Sequence, residues 1–172
     1  MPIEFNRHFL SSEIAGHSAK TENTVNMGAE FFFSKEERNK IVSAIEKAEL
    51  NTSGEIRVHI ENYCKQEVLE QACKVFSSLK MHKTQLRNGV LFYVAIKDRQ
   101  FAILGDVGIN QLVSDDFWDN TKSLVLDKFK AGSFCDGLVT GIESAGNQLK
   151  EFFPYQDDDI NELSDEISFG TD

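Results

Sequence analysis

No window of the 172-residue chain approaches the roughly 20 consecutive apolar residues that a membrane-spanning helix requires, so no membrane span is expected. No basic stripe is present, which argues against nucleic acid as a partner. Cysteine is scarce and odd in number. Cys64, Cys73 and Cys135 have no metal-like spacing and suggest no structural disulfide framework, which fits a reducing compartment. None sits in a cationic pocket that the sequence can place, so all three read as inert. The N-terminus lacks the charged-then-apolar pattern of a secretory signal, and the expected location is cytoplasmic. The phosphate-loop pattern G-x-x-x-x-G-K-[ST], the nucleophile elbow G-x-S-x-G and the EF-hand spacing are missing as well. There are no internal repeats.

What is present suits one α/β domain with tails. Apolar residues make up 41% and charged ones 27%, ordinary globular usage, and the 14 phenylalanines point to an aromatic core. The net charge of −10 is concentrated at the end of the chain. Asp157, Asp158, Asp159, Glu162, Asp165, Glu166 and Asp172 follow Gln156 with no Lys or Arg among them; removing these seven charges leaves about −3 for the rest. This closing stretch reads as disordered and solubilising. The opening residues Met1 to Asn26 carry scattered Phe5, Phe9 and Leu10 without a period and read as a flexible extension.

Between these tails the signals alternate. Ser34-x-x-Glu37 is a capping box opening a helix with Ile41, Val42, Ile45 and Ala48 on one stripe, and Phe31 to Phe33 read as a staple beneath the cap. After the turn Asn51-Thr52-Ser53-Gly54, Ile56, Val58 and Ile60 alternate with Arg57, His59 and Glu61 as a strand near an edge with one wetter face. His59 on that face reads as a solvated or locally hydrogen-bonded histidine. A helix is expected over Gln66 to Lys80, and the apolar run Gly89 to Ile96 reads as a central strand covered on both faces. A strand, helix, strand unit of this length implies a right-handed crossover and a parallel pair. The reversal Lys97-Asp98-Arg99 then returns Gln100 to Leu104 as an antiparallel partner. Ser114 is expected to cap a third helix with Asp115 and Asp116 in its first turn, flanked by Trp118, and Phe134 to Glu151 forms a fourth, ended by Pro154.

These directions make a geometric claim. Two parallel strands begin, and the antiparallel one ends, at the same edge of the sheet. Three loops should meet there, bringing Ser53, Glu55, Asn88, Asp106, Asp115 and Asp116 together among glycines at 54, 89, 105 and 108. Carboxylate and amide oxygens without Cys or His are hard ligands, suited to Ca2+ or Mg2+ rather than Zn2+. Each has a plainer reading: helix capping for Asp115 and Asp116, an Asx-type turn for Asp106. Arg87 beside them either pairs with an acid, the commoner outcome, or faces a substrate phosphate.

The segments Asn51-Thr-Ser-Gly-Glu-Ile-Arg-Val58, Arg87-Asn-Gly-Val-Leu91, Asp98-Arg99, Gly105-Asp-x-Gly108 and Phe134-x-x-Gly-Leu138, in this order, resemble the TPM domain family. The closing tail resembles its soluble bacterial members. The resemblance covers about Phe33 to Phe153. It implies a three-layer α/β/α sandwich with a Rossmann-like mixed sheet, whose central antiparallel hairpin is flanked by helices. It also implies divalent-cation binding in loops at one sheet edge, and acid phosphatase activity as in the plant member. Carried over by position, the cation loops are Ser53 to Glu55, Arg87 to Gly89 and Asp106 to Asp116. The expected organisation is residues 1–30 as a flexible extension, 31–155 as the TPM-type domain and 156–172 as a disordered acidic tail. The expected function is a Ca2+- or Mg2+-binding accessory module with a small-molecule or protein partner. The alternative is a metal-assisted acid phosphatase, against which stands the lack of an evident nucleophile and base pair.

Overall fold

The computed structural model of the chain describes residues 27–171 and the two-residue strand Ser12–Glu13. The rest of the expected N-terminal extension lies outside the described residues.

The sheet grows from the apolar run at the centre of the sequence. Strand β3 (Gly89–Ala95) is buried along its whole length because both of its faces are apolar. Strand β2 (Glu55–Glu61) lies parallel to it, with Glu55 opposite Gly89, and β4 (Gln100–Gly105) lies antiparallel, with Gly105 opposite Val90. The expected parallel pair and hairpin are therefore present. Two short strands complete the sheet: β1 (Ser12–Glu13) pairs with β4 and β5 (Ser168–Phe169) with β2, giving the order β1-β4-β3-β2-β5.

Helices cover both faces in three layers. One side carries α1 (Lys35–Glu49), α4 (Asp119–Lys130) and α5 (Phe134–Phe152), packed on Ile56, Val58, Ile60, Phe92 and Ile103. The other carries α2 (Val68–Ser78) on Leu91, Tyr93, Ala102 and Leu104. The period of two along each strand sends alternate residues to these two cores. The capping box at α1 forms as expected: the Ser34 hydroxyl accepts from the Glu37 amide at 3.1 Å, and the Glu37 carboxylate accepts from the Ser34 amide at 2.8 Å. Of the expected staple, Phe33 is buried while Phe31 and Phe32 stay exposed.

Four expectations change. A short helix α3 (Val107–Asn110) follows β4 directly, capped by Asp106. Helix α4 starts only at Asp119, after Trp118; Ser114, Asp115 and Asp116 form an exposed turn ahead of it, because the Ser114 hydroxyl is spent on the Asp116 carboxylate at 2.5 Å. The polar face of β2 is not wet: Glu55, His59 and Glu61 are buried. The reason is the fourth change. The acidic tail is not loose; after Pro154 it runs back over β2 and adds β5 to its outer edge, with the Gly170 amide donating to the Ile60 carbonyl at 2.9 Å. Its Leu163, Ile167 and Phe169 pack against the cores. That apolar burial offsets the repulsion among its acids.

Helix α5 approaches the sheet closely at one point. A Cβ on Gly141 would stand 2.5 Å from Cγ2 of Val125 and 2.9 Å from Cε1 of Phe92. Gly141→Ala is therefore expected to destabilise the fold by about 1–3 kcal/mol through overpacking, seen as a lower urea midpoint. An unchanged midpoint would mean that α5 has room to shift.

Candidate functional site

The edge where β2 and β3 begin and β4 ends is held by one ion pair. Asp106 follows the last residue of β4, and its amide donates to the Gly89 carbonyl at 2.9 Å. Its carboxylate, with no exposed surface, accepts from Arg87 Nε at 2.7 Å and Nη2 at 2.8 Å, a bidentate fork. Oδ1 also accepts from the Val107 amide at 2.8 Å and so caps α3. Arg87 reaches this geometry from a left-handed backbone (φ 51°), which turns its carbonyl to accept from the Gly108 amide at 2.9 Å. Only glycine fits at 108, since a Cβ would lie 2.2 Å from the Leu86 carbonyl oxygen. The Arg87 guanidinium, 37% exposed, is held in its charged form first by this hydrogen bonding and then by the Asp106 charge, against a burial effect of opposite sign.

Asn88 stands next to this clamp, almost fully buried at 1% exposure. Its carbonyl accepts from the Glu55 amide at 3.2 Å. Its Nδ2 donates to the Ser53 carbonyl at 3.0 Å and reaches the Ser53 hydroxyl at 3.5 Å, which fixes the orientation of the amide. Its Oδ1 is left with no hydrogen-bond partner among the described residues. A buried, oriented oxygen without a donor costs about 1–3 kcal/mol, a penalty that a bound cation or donor would relieve.

The six expected ligands do not form one cluster. Ser53 and Asn88 are in contact, and Asp106 lies at the same edge on the other side of β3, its amide on the Gly89 carbonyl and its carboxylate on Arg87. Asp115 and Asp116 lie on the exposed turn. Glu55 is committed elsewhere: its carboxylate accepts from the Glu162 and Leu163 amides of the tail at 2.9 and 3.1 Å. Burial pushes Glu55 up to about 7, although these two bonds oppose the shift. Among the described residues no three His, Cys, Asp or Glu side chains form a group that could hold a metal ion. Among the described residues the Ser53 hydroxyl meets the Asn88 amide, and no base is placed beside it.

A second polar network lies under the tail, and two patterns in the sequence point to it. Glu61 lies two residues beyond His59 on the same strand face, and Ile167-Ser168-Phe169 alternates like a strand. His59 Nδ1 meets the Ser168 hydroxyl at 2.9 Å, its Nε2 lies 3.6 Å from Glu61 Oε2, and its ring stacks on Tyr93. Glu61 also accepts from Tyr93 and, at 2.8 Å, from Gln71 Nε2. Burial raises the Glu61 carboxyl, but the bonds from His59, Tyr93 and Gln71 outweigh it and leave a net lowering. All three cysteines are free thiols, and burial pushes Cys73 up to about 11.

An open mixed sheet between helices, with a polar loop edge closed by an Arg–Asp fork, defines an α/β/α domain. The TPM domain family model matches residues 28–148, and the chain belongs to this family. Among solved structures, the NMR structure of the BA42 protein from the psychrophilic bacterium Bizionia argentinensis is 53% identical, with a TM-score of 0.79 over 82% of this chain and 97% of that one. No curated protein matched. No helix of the described residues is long and apolar enough to cross a membrane.

Arg87→Met leaves the buried Asp106 carboxylate unpaired. Removing one partner of a fully buried pair costs about 3–5 kcal/mol; the exposure of Arg87 reduces this to about 2–3 kcal/mol. Arg87→Lys is expected to recover less than half of the loss, since an ammonium does not reproduce the fork. Urea unfolding of the two variants against the parent measures both.

Proposed function

We propose that this TPM domain is a divalent-cation-binding accessory module whose Ca2+ or Mg2+ sits at the edge formed by Ser53, Asn88 and Asp106. The observation that carries the reading is the Asn88 amide: a buried hard oxygen, oriented by its own Nδ2, without a donor. Such an oxygen suits a hard cation. Asp106 shapes the edge without being a direct ligand, since both of its oxygens are taken, by the Arg87 fork and the Val107 amide. Water and loop carbonyls would complete the shell of a Mg2+ ion, which keeps several waters in any case. Glu55 is excluded from the ligand set because both of its oxygens hold the tail. Asp115 and Asp116, exposed on the neighbouring turn, fit an outer, water-separated role.

The phosphatase alternative has less support. A metal-assisted hydrolase needs a group free to face the phosphoryl oxygens and a water or nucleophile beside a base. Two donors of the Arg87 fork are spent on Asp106, and Ser53 has no base.

Titration of the full chain with Ca2+ and with Mg2+, followed by backbone amide resonances, is expected to move residues 53–54, 88–89, 105–108 and 115–116. Asn88→Leu should abolish those shifts while leaving the sheet resonances in place. Shifts confined to residues 157–171, or an affinity untouched by Asn88→Leu, would remove the cation from this edge.

A further inference from the structure

Helix α1 turns Ile41, Ala44, Ile45 and Ala48 into the core. Val42, expected on that same stripe, does not join them; it is half-buried and belongs to neither core. It lies on a second face of the helix, with Lys35 and Arg38 before it and Glu46 after it, at spacings of three or four residues. This face lines a cavity of about 490 Å³ beside the outer border of the sheet. The opposite wall is Glu166, Ile167 and Phe169, from the tail and β5. Ile167 and Phe169 are half-buried: they pack against the core and line the cavity as well.

The charges of this cavity are sorted along its length. The chain reverses through residues 51–54 between α1 and β2, and β5 runs parallel to β2, so β5 runs back along α1. Phe169 therefore stands toward the start of the helix, with Lys35 and Arg38. Glu166 stands toward its end, with Glu46; the preceding Asp165 lines the next cavity together with Glu46 and Glu49. One end is cationic, the other acidic, and the floor between them is apolar. Among the described residues the side chains of Lys35, Glu46 and Glu166 make no hydrogen bond or ion pair. Arg38 spends Nη1 on the Glu30 carbonyl at 2.7 Å, and the rest of its guanidinium has no partner among the described residues.

A pocket of several hundred Å³ with an apolar floor and a few unengaged polar groups at fixed places has the general form of a binding site. The steps from Lys35 to Glu46 cover about 16 Å of helix, the length of about five residues of extended chain. A ligand that matches is extended, apolar in its middle and oppositely charged at its ends. Strand β5 is the last in the order β1-β4-β3-β2-β5, so its outer side offers main-chain groups to an extended chain. We propose that the groove between α1 and β5 binds a short extended segment of a partner protein, about five residues long, with an acidic residue at one end and a basic residue at the other.

The carboxylate of that segment meets Lys35 and the free side of the Arg38 guanidinium, whose planar fork suits a carboxylate. Its cation meets Glu46 and Glu166. Its apolar residues cover Val42, Ile167 and Phe169, and the surface removed from water supplies the rest of the affinity. A polyanion is disfavoured, because the acids at one end repel it. Neither Ser53 nor Asn88 lines this groove, so the reading does not depend on whether a cation binds at their edge.

Backbone amide resonances of the full chain, followed during titration with two pentapeptides of acetylated and amidated ends, test this. The peptides are Lys-Val-Thr-Val-Glu and its reverse, Glu-Val-Thr-Val-Lys. One order or both is expected to move residues 38–46 and 166–170 while 88–89 and 105–108 stay in place. Versions with Glu at both ends, or Lys at both ends, meet repulsion at one end of the groove and should bind about three- to tenfold more weakly. Lys35→Glu should weaken the mixed-charge peptide by about the same factor and narrow its lead over the Lys-ended one. Lys35 is exposed, and an acid suits the first turn of a helix, so the sheet resonances of this variant should hold. Equal binding of mixed and uniformly charged peptides, or no shift in the groove with any of them, overturns the proposal. Shifts there that grow with protein concentration in the absence of peptide also overturn it, by giving the groove to a second copy of the chain.

Discussion

The Arg87–Asp106 fork is the interaction on which the site depends. It ties Arg87, two residues before β3, to Asp106, the residue after β4, and so closes the open end of the hairpin. It also brings together three backbone features: a left-handed arginine, a glycine that must lie against the Leu86 and Arg87 carbonyls, and the first turn of α3. Because the carboxylate is sealed from water, the two hydrogen bonds act in a low-dielectric setting and set the loop geometry rigidly. Asn88 takes its position from this clamp on one side and from Ser53 on the other. An oxygen held in this way would lose little freedom on meeting a ligand, and preorganisation of that kind is a general route to affinity.

Much of the architecture was legible in the sequence because it rests on periodicity. The change from a period of two in Ile56–Ile60 to helical spacing in Val68–Leu79, then to the unbroken apolar run at Val90, dictates a parallel pair with a crossover. The capping box at Ser34 was readable for a similar reason: both partners lie within four residues. The convergence of Ser53, Asn88 and Asp106 followed from strand directions alone. What escaped were features that depend on long-range contacts. Whether Ser114 caps a helix turned on competition from the Asp116 carboxylate, and helix α4 could begin only past Trp118, which packs over Gly105. The tail has the composition of a disordered segment, but three apolar residues, the Glu55 carboxylate and the short β5 pairing hold it.

The commitment of Glu55 shows how a shared edge can serve two ends. Its amide joins the β3 side through Asn88, while its side chain joins the tail. A single residue thereby links the loop edge around Asn88 to the tail along β2. The TPM domain family model and the 53% identical BA42 structure show that this scaffold belongs to the TPM domains.

Both borders of the sheet end in strands of only two residues, β1 beside β4 and β5 beside β2. A long open border displays a row of unpaired amides and carbonyls on which a second molecule can build. Short caps leave little of that row on view, and the acids around β5 repel an approaching copy. A chain cut before the C-terminal segment would lose the packing of Leu163, Ile167 and Phe169 and present the flank of β2 as a template.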